Sequence, residues 1–130
     1  MGMLDAVHGH SNLHDPNQFA TPDSFEEGLA MSPFYRVNFD IGHFAAAGFD
    51  VIAFLEKHHA RIVSLHLKDR QQNDGANMPL GEGDTPVAAT LRLLRDRHYP
   101  IPAMFEYEYA GKDSVSELRR MKAFVLQALA

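Results

Sequence analysis

Four short apolar runs, each closed by polar or charged residues and followed by a loop and a capped helical segment, constrain the fold of this 130-residue chain more than any other feature. "LDAVHGH" (4–10) leads to a helix opened by Thr21 as N-cap and Pro22 at the first helical position, running to about Met31. "RVNFDIG" (36–42) is the second run. After "AAAG", Val51, Phe54 and Leu55 fall at helical spacing behind Asp50 as cap, as far as His58. "RIVSLHLKD" (61–69) is the most strand-like run, rich in β-branched residues and followed by a polar tract. The loop "RQQNDGANMPLGEGD" (70–84) is long for a strand-to-helix connection, which marks it as functional or mobile. Thr85 and Pro86 repeat the helix-start signal, and Leu91 and Leu94 give that helix an apolar side up to about Arg97. "IPAMFEYEY" (101–109) is the fourth strand. From Ser114 the chain reads as helix, with Val115, Leu118, Met121, Phe124, Val125 and Leu129 on one stripe.

Strands alternating with helices imply an α/β fold with a parallel sheet, because each parallel connection must cross over the sheet. Such folds place their ligands at the carboxyl ends of the strands. Those ends are chemically loaded in all four units: His8 and His10, then Asp40 with His43, then His66 with Lys68, Asp69 and Arg70, then Glu106 with Glu108. Strand alternation puts Asn38 and Asp40 on one face, and likewise Ser64, His66 and Lys68, and Met104, Glu106 and Glu108. A carboxylate, an imidazole and a second carboxylate converging there make a site for a divalent cation with a position open to substrate oxygens. Any one such residue taken alone is more often a helix cap, a loop hydrogen bond or a solvated group than a functional one, and only the four loaded tips together favour function. Lys68 reads either as a binder of substrate anions or as a salt-bridge partner of Asp69, while Asp69 and Arg70 read as structural. His43 stands beyond its strand, where Gly42 lets the backbone turn it inward toward substrate. His14, His58, His59 and His98 read as loop, helix-end or solvent residues, and "LGEGD" (80–84) as a tight turn.

Composition narrows the function classes. Twelve basic against seventeen acidic residues, with no Lys/Arg stripe, argue against a nucleic-acid partner. No run approaches the roughly 18 apolar residues of a membrane span, and the start has no signal-peptide pattern. No membrane partner is expected, and the expected location is cytoplasmic. Gly2 fails the myristoylation pattern because Ala6 stands where Ser or Thr is required. Eight histidines beside seventeen carboxylates and no cysteine are the donor set of a borderline metal such as Mn, Zn, Co or Fe. The length fits one domain spanning residues 1–130.

"FDIGHFAAAGFD", "RIVSLHLKDRQ", "PLGEGDTP" and "PAMFEYEY", in this order, resemble the C-terminal half of the sugar phosphate isomerase/epimerase family, the xylose isomerase-like TIM barrels. The resemblance runs from about His8 onward. It implies a divalent metal (Mn, Zn, Co or Mg) held at the barrel mouth by Asp40, His66 and Glu106. It further implies Glu106 as a catalytic base, with His43 touching substrate and Lys68 facing the same mouth. Where the epimerases carry their first Glu, this chain has "AVHGHSN", so that His8 or His10 replaces a carboxylate and the two-glutamate proton exchange is put in doubt. The implied fold is half of a (β/α)₈ barrel, four units where a whole barrel takes about 250 residues. Three explanations of the length are open: a fragment, a half-barrel that pairs with a second copy of itself, or one that pairs with a separate N-terminal chain, with a homodimer or a domain-swapped variant expected. The implied activity is isomerisation or epimerisation of a sugar or keto-sugar. The alternatives are a dehydratase or lyase of the same superfamily, or a half-barrel without activity. The endonuclease branch is disfavoured by the acidic balance.

Overall fold

The computed structural model describes residues 3–130, so Gly2 lies outside the described residues. Strands β1 (Asp5–His8), β2 (Tyr35–Asp40), β3 (Ile62–Leu67) and β6 (Ala103–Phe105) form one parallel sheet in the order β1-β2-β3-β6. Helices α1 (Pro22–Met31), α3 (Val51–His58), α4 (Val87–Asp96) and α5 (Ser114–Leu129) connect or follow them, which makes the four expected βα units and half of a (β/α)₈ barrel. Among the described residues no helix is long and apolar enough to cross a membrane.

The helix starts follow the sequence signals where a side chain can reach the first turn. Thr21 Oγ1 accepts from Ser24 N and Ser24 Oγ accepts from Thr21 N, a reciprocal capping box, with Pro22 just inside. Asp50 accepts from Ala53 N at the head of α3. The helix-facing side of the sheet buries Val37, Phe39, Leu65 and Leu67. Phe25, Phe44 and Phe54 pack over that side, with Phe39 and Phe54 centroids 5.0 Å apart and Phe44 and Phe54 4.8 Å apart. The opposite side of the same strands carries Asn38, Ser64 and His66, as alternation predicts; Ser64 Oγ donates to Asn38 Oδ1 at 2.8 Å.

Four expectations need correction. The chain does not loop after "VNFD": Ile41–Ala46 form a short helix, α2, capped by Asp40, whose Oδ1 accepts from His43 N at 2.8 Å. Gly42 is therefore helical, and its role is close approach. A Cβ there would lie 2.6 Å from Lys68 Cγ and 2.8 Å from Lys68 O, so nothing larger fits between α2 and the end of β3. Thr85 does not cap α4; its hydroxyl accepts from Arg70 N. The predicted stripe of α5 is only partly buried: Met121 is enclosed, Phe124, Val125 and Leu129 are half-buried, and Val115 and Leu118 are 56% and 42% exposed.

The long loop is built around one buried carboxylate. A short hairpin pairs β4 (Asp69–Arg70) with β5 (Asn77–Met78), and Asp69 then accepts from the backbone N–H groups of Gly81, Gly83 and Thr85 at 2.8, 3.1 and 3.1 Å. "LGEGD" thus makes the expected tight turn, and its inward N–H groups enclose the chain's own aspartate. Gly81 sits at φ +89°, in the left-handed region, where a side chain would be strained. Replacing Asp69 by Ala strands three inward N–H groups. The expected destabilisation is at least about 3 kcal/mol, checked by urea unfolding.

Candidate functional site

The four strand tips converge. One ligand atom from each of His8, Asp40, His66 and Glu106 lies within 4.8 Å of the other three. Parallel register brings this about: His8 pairs with Asn38, Asp40 with His66, and His66 with Met104, so each strand delivers its polar tip to the same edge. Asp40 divides its two oxygens. Oδ1 caps α2, and Oδ2 faces the cluster, 3.9 Å from His8 Nε2 and 3.9 Å from His66 Nδ1.

His8 Nε2 and Asp40 Oδ2 are both buried, and neither has a hydrogen-bond partner. Buried polar atoms are normally satisfied, and these two lie side by side in the cluster with only the Lys68 ammonium, 3.4 Å from Asp40 Oδ2, as a cationic neighbour. A carboxylate oxygen and an imidazole nitrogen can both supply lone pairs, so the cluster could hold a cation. Burial pushes the Asp40 carboxyl up to about 7, against the pull of the Lys68 ammonium. Burial also lowers His8, assisted by neighbouring His66. In both groups burial is the largest cause of the shift.

Between β3 and Glu106 the contacts are dense. His66 Nδ1 meets Glu106 Oε2, and its Nε2 lies 3.2 Å from Asn38 Nδ2. Burial alone would raise the Glu106 carboxyl, but its interplay with the neighbouring Asp40 carboxyl and the hydrogen bond from Lys68 bring it down to about 2. Lys68 is 2% exposed and reaches Asp40 Oδ2 at 3.4 Å, Glu106 Oε1 at 3.1 Å and Glu108 Oε2 at 2.5 Å. Burial would lower its ammonium, and these carboxylates outweigh that and raise it. Its partner is therefore not Asp69, which turns away to its three N–H groups.

His43, on α2, enters from the side, with Nε2 3.1 Å from Lys68 Nζ and 3.7 Å from Asp40 Oδ2. Burial, then Lys68 and Arg70, hold its imidazole down to about 3. Of the two histidines on β1 it is His8 that joins the cluster. His10 lies beyond the strand, exposed, with its ring centroid 5.1 Å from that of His8 and 5.7 Å from that of His43. The remaining histidines stand apart. His14 and His98 are exposed, His58 packs on Phe54 and meets Glu26, and His59 stacks on Tyr99. Sequence reading undervalued Arg70 and Glu108, because their contacts run across elements that sequence periodicity does not show.

The Ser64–Asn38–His66 chain holds the His66 ring from behind. With the Asn38 amide turned so that its oxygen accepts from His66 Nε2, this chain would leave Nδ1 open toward the cluster, and loss of such a supporting bond costs about 10–100-fold in metal affinity. Asn38→Leu is expected to weaken divalent-cation binding by that factor, measured by competition with a chelating dye.

A half-barrel of parallel βα units with a carboxylate and imidazole cluster at its strand tips defines a class of protein, the α/β barrels that work at the carboxyl edge of the sheet. The chain belongs to the xylose isomerase-like TIM barrel family, whose model matches residues 8–124. It is 28% identical over 116 residues to the Escherichia coli (strain K12) protein named "Putative L-ribulose-5-phosphate 3-epimerase SgbU", covering 84% of this chain and 40% of that protein. Among solved structures it is similar to the 3-keto-D-glucoside 4-epimerase YcjR of E. coli, at a TM-score of 0.75 and 14% identity, over 95% of this chain and 46% of that one. It is also similar to the "probable 3-DHS dehydratase AsbF" of Bacillus anthracis, at a TM-score of 0.69 and 19% identity, over 98% of this chain and 48% of that one. The chain therefore spans less than half the length of each of these proteins.

Proposed function

We propose that this chain carries the metal-holding half of a divalent-metal-dependent isomerase or epimerase acting on a sugar, keto-sugar or sugar phosphate. The observation that supports this most directly is the pair of buried, unpartnered donors, His8 Nε2 and Asp40 Oδ2, within a four-residue cluster of ligand type. Asp40, His66, Glu106 and His8 would hold the ion, which would be Mn, Zn, Co or Mg, and His10 stays outside that set. When bound, a divalent cation supplies positive charge to the oxygens beside the reacting carbon. The chain's own residues do the rest. Glu106 is the carboxylate placed to accept a proton from the carbon next to a carbonyl. The Lys68 ammonium offsets the charge of three carboxylates at the mouth, and with His43 it orients the substrate oxygens.

One observation favours a second reading. The first strand tip presents His8 where a second carboxylate would return the proton on the opposite face. One carboxylate base with an imidazole acid suits elimination of water from a polyol or sugar, the chemistry of a dehydratase or lyase. Incubation with keto-sugars and their phosphates in deuterated water separates the readings. Solvent deuterium beside the carbonyl is expected for isomerisation or epimerisation, and a dehydrated product for elimination. A chain that binds a stoichiometric metal yet gives neither across such a panel is a half-barrel without activity. Residues 1–130 would act as one half-barrel domain, completed by a second copy of the chain.

A further inference from the structure

We infer that Glu108 is a specificity-determining residue: by occupying the Lys68 ammonium it makes this half of the mouth select an unphosphorylated sugar or keto-sugar over a phosphate ester. That the ligand is a sugar rests on the function proposed above, while the exclusion of phosphate rests on the contacts of the cations.

A phosphate group is held by charge-assisted N–H donors: an ammonium, a guanidinium, or the open amides of a helix start or a glycine-rich turn. At the carboxyl edge of this sheet the chain fills such donors with acceptors of its own. The "LGEGD" turn closes on Asp69. Asp40, Asp50 and Asp113 cap α2, α3 and α5, accepting from His43 N, Ala53 N and Ser116 N at 2.8, 3.0 and 2.9 Å. Helix α4 has no side-chain cap, but it opens behind Pro86, which has no N–H, and Asp84 stands two residues earlier. The Arg70 guanidinium donates to Ser11 Oγ at 2.7 Å, to Gly75 O at 2.6 and 3.0 Å and to Asp74 Oδ1 at 3.1 Å, with His43 Nδ1 2.9 Å away.

Lys68 is the cation at the centre of the mouth. Its ammonium has His43 Nε2 and Glu106 Oε1 each at 3.1 Å, Asp40 Oδ2 at 3.4 Å and Glu108 Oε2 at 2.5 Å. Asp40 is buried and His43 and Glu106 are half-buried, whereas the Glu108 side chain is 51% exposed. Glu108 is therefore the partner on the solvent side of the ammonium, where an incoming anion would arrive. Its carboxylate takes the outward N–H and adds negative charge at the rim, which repels a phosphate dianion. A hydroxyl or carbonyl oxygen carries no net charge and meets no such barrier. Lys112 is exposed on the loop before α5, next to Asp113, and is the competing anion site that the test must separate.

The ¹⁵N-labelled full chain, with Mg²⁺ as the only divalent cation and at fixed ionic strength, is titrated with D-fructose, D-fructose 6-phosphate and inorganic phosphate, followed by NMR. Wild type is expected to bind the free sugar in preference to the ester. Glu108→Ala is expected to bind the ester and inorganic phosphate about tenfold more tightly than wild type, with the free sugar little changed. A merely structural role for Glu108 would move all three ligands together. Glu108→Asp, which keeps the charge, is expected to keep the exclusion, and Lys112→Ala in the Glu108→Ala background is expected to keep the gain. A wild type that takes the ester as tightly as the free sugar overturns the inference, as does an unchanged phosphate affinity in Glu108→Ala or a gain that vanishes with Lys112. Should wild type bind neither sugar, the phosphate titration of Glu108→Ala decides. Metal content of the same samples reports separately on the proposed function: a chain without metal that gains phosphate on loss of Glu108 loses that function and keeps this inference.

Discussion

His66→Ala is expected to abolish stoichiometric binding of a divalent cation while leaving the half-barrel folded. His66 sits on β3, a central strand, but its side chain points to the mouth and is 21% exposed, whereas Leu65 and Leu67 on either side of it face the helices and are buried. The substitution therefore removes a donor without opening the core. The loss should exceed the roughly 10–100-fold that removal of a supporting hydrogen bond costs, because an atom of the cluster itself is gone. The same experiment has a stability readout. A ligand at about 100 times its dissociation constant stabilises the native state by about 2.7 kcal/mol, which for a chain of this length raises the midpoint of thermal unfolding by on the order of 10 °C. Wild type should show that rise with Mn²⁺, Zn²⁺ or Co²⁺, and His66→Ala should lose it. Metal analysis of the two purified proteins gives the decisive comparison: equal, sub-stoichiometric metal in both would remove the main support for a metal-dependent enzyme.

The sequence legibly encodes what depends on local pattern. The alternation of β2 and β3 placed Asn38, Asp40, Ser64 and His66 on the mouth side, and Thr21 with Pro22 marked the start of α1 to the residue, because a cap and a proline act within one turn. Two kinds of feature were not legible. Helix α2 is six residues long, too short to show a period, and its capping aspartate looks like a bare strand end until the fold shows one oxygen on His43 N and the other on the cluster. The second kind is contact between distant segments. Arg70 and His43 are 27 residues apart in sequence, and no spacing rule joins them. Gly42 shows the same limit: a sequence reader assigns a glycine to a turn, whereas here the backbone of Lys68 leaves no room for a Cβ. The choice between His8 and His10 also needed coordinates, since β1 ends at His8 and the residues after it pair instead with Phe19.

Leu118→Glu is expected to weaken the proposed pairing of two copies of this chain, because it places a charge on an exposed apolar flank of α5. Strands β1 and β6 each pair on one side only, so the described sheet ends in two parallel edges with open N–H and C=O groups, and Met104 and Phe105 on β6 are 45% and 39% exposed. Beyond β6, α5 packs against α4 on one side, where Arg92 and Arg95 reach the carbonyls of Ala128 and Leu129. Its other flank leaves Val115, Leu118, Lys122 and Leu126 exposed at spacings of three and four, an apolar helical stripe with one ammonium in it. On α1, Glu26 binds Lys57 and His58 of α3, so the flank turned away from α3 presents Glu27 and an almost fully exposed Met31. In a two-fold ring of two half-barrels, β6 of one copy continues into β1 of the other, and α5 lies beside the partner copy's first helix. This proposed pairing would set the apolar flank of α5 toward Met31 and Lys122 toward Glu27. A charge placed at the centre of such a contact costs about 2 kcal/mol or more, on the order of 30-fold in the dissociation constant. The charge pair adds a sharper test: Lys122→Glu and Glu27→Lys should each weaken the dimer, and the double variant should recover it. Size-exclusion chromatography with light scattering reads all four proteins. A wild-type chain that remains a stable monomer at micromolar concentration sinks the self-paired barrel.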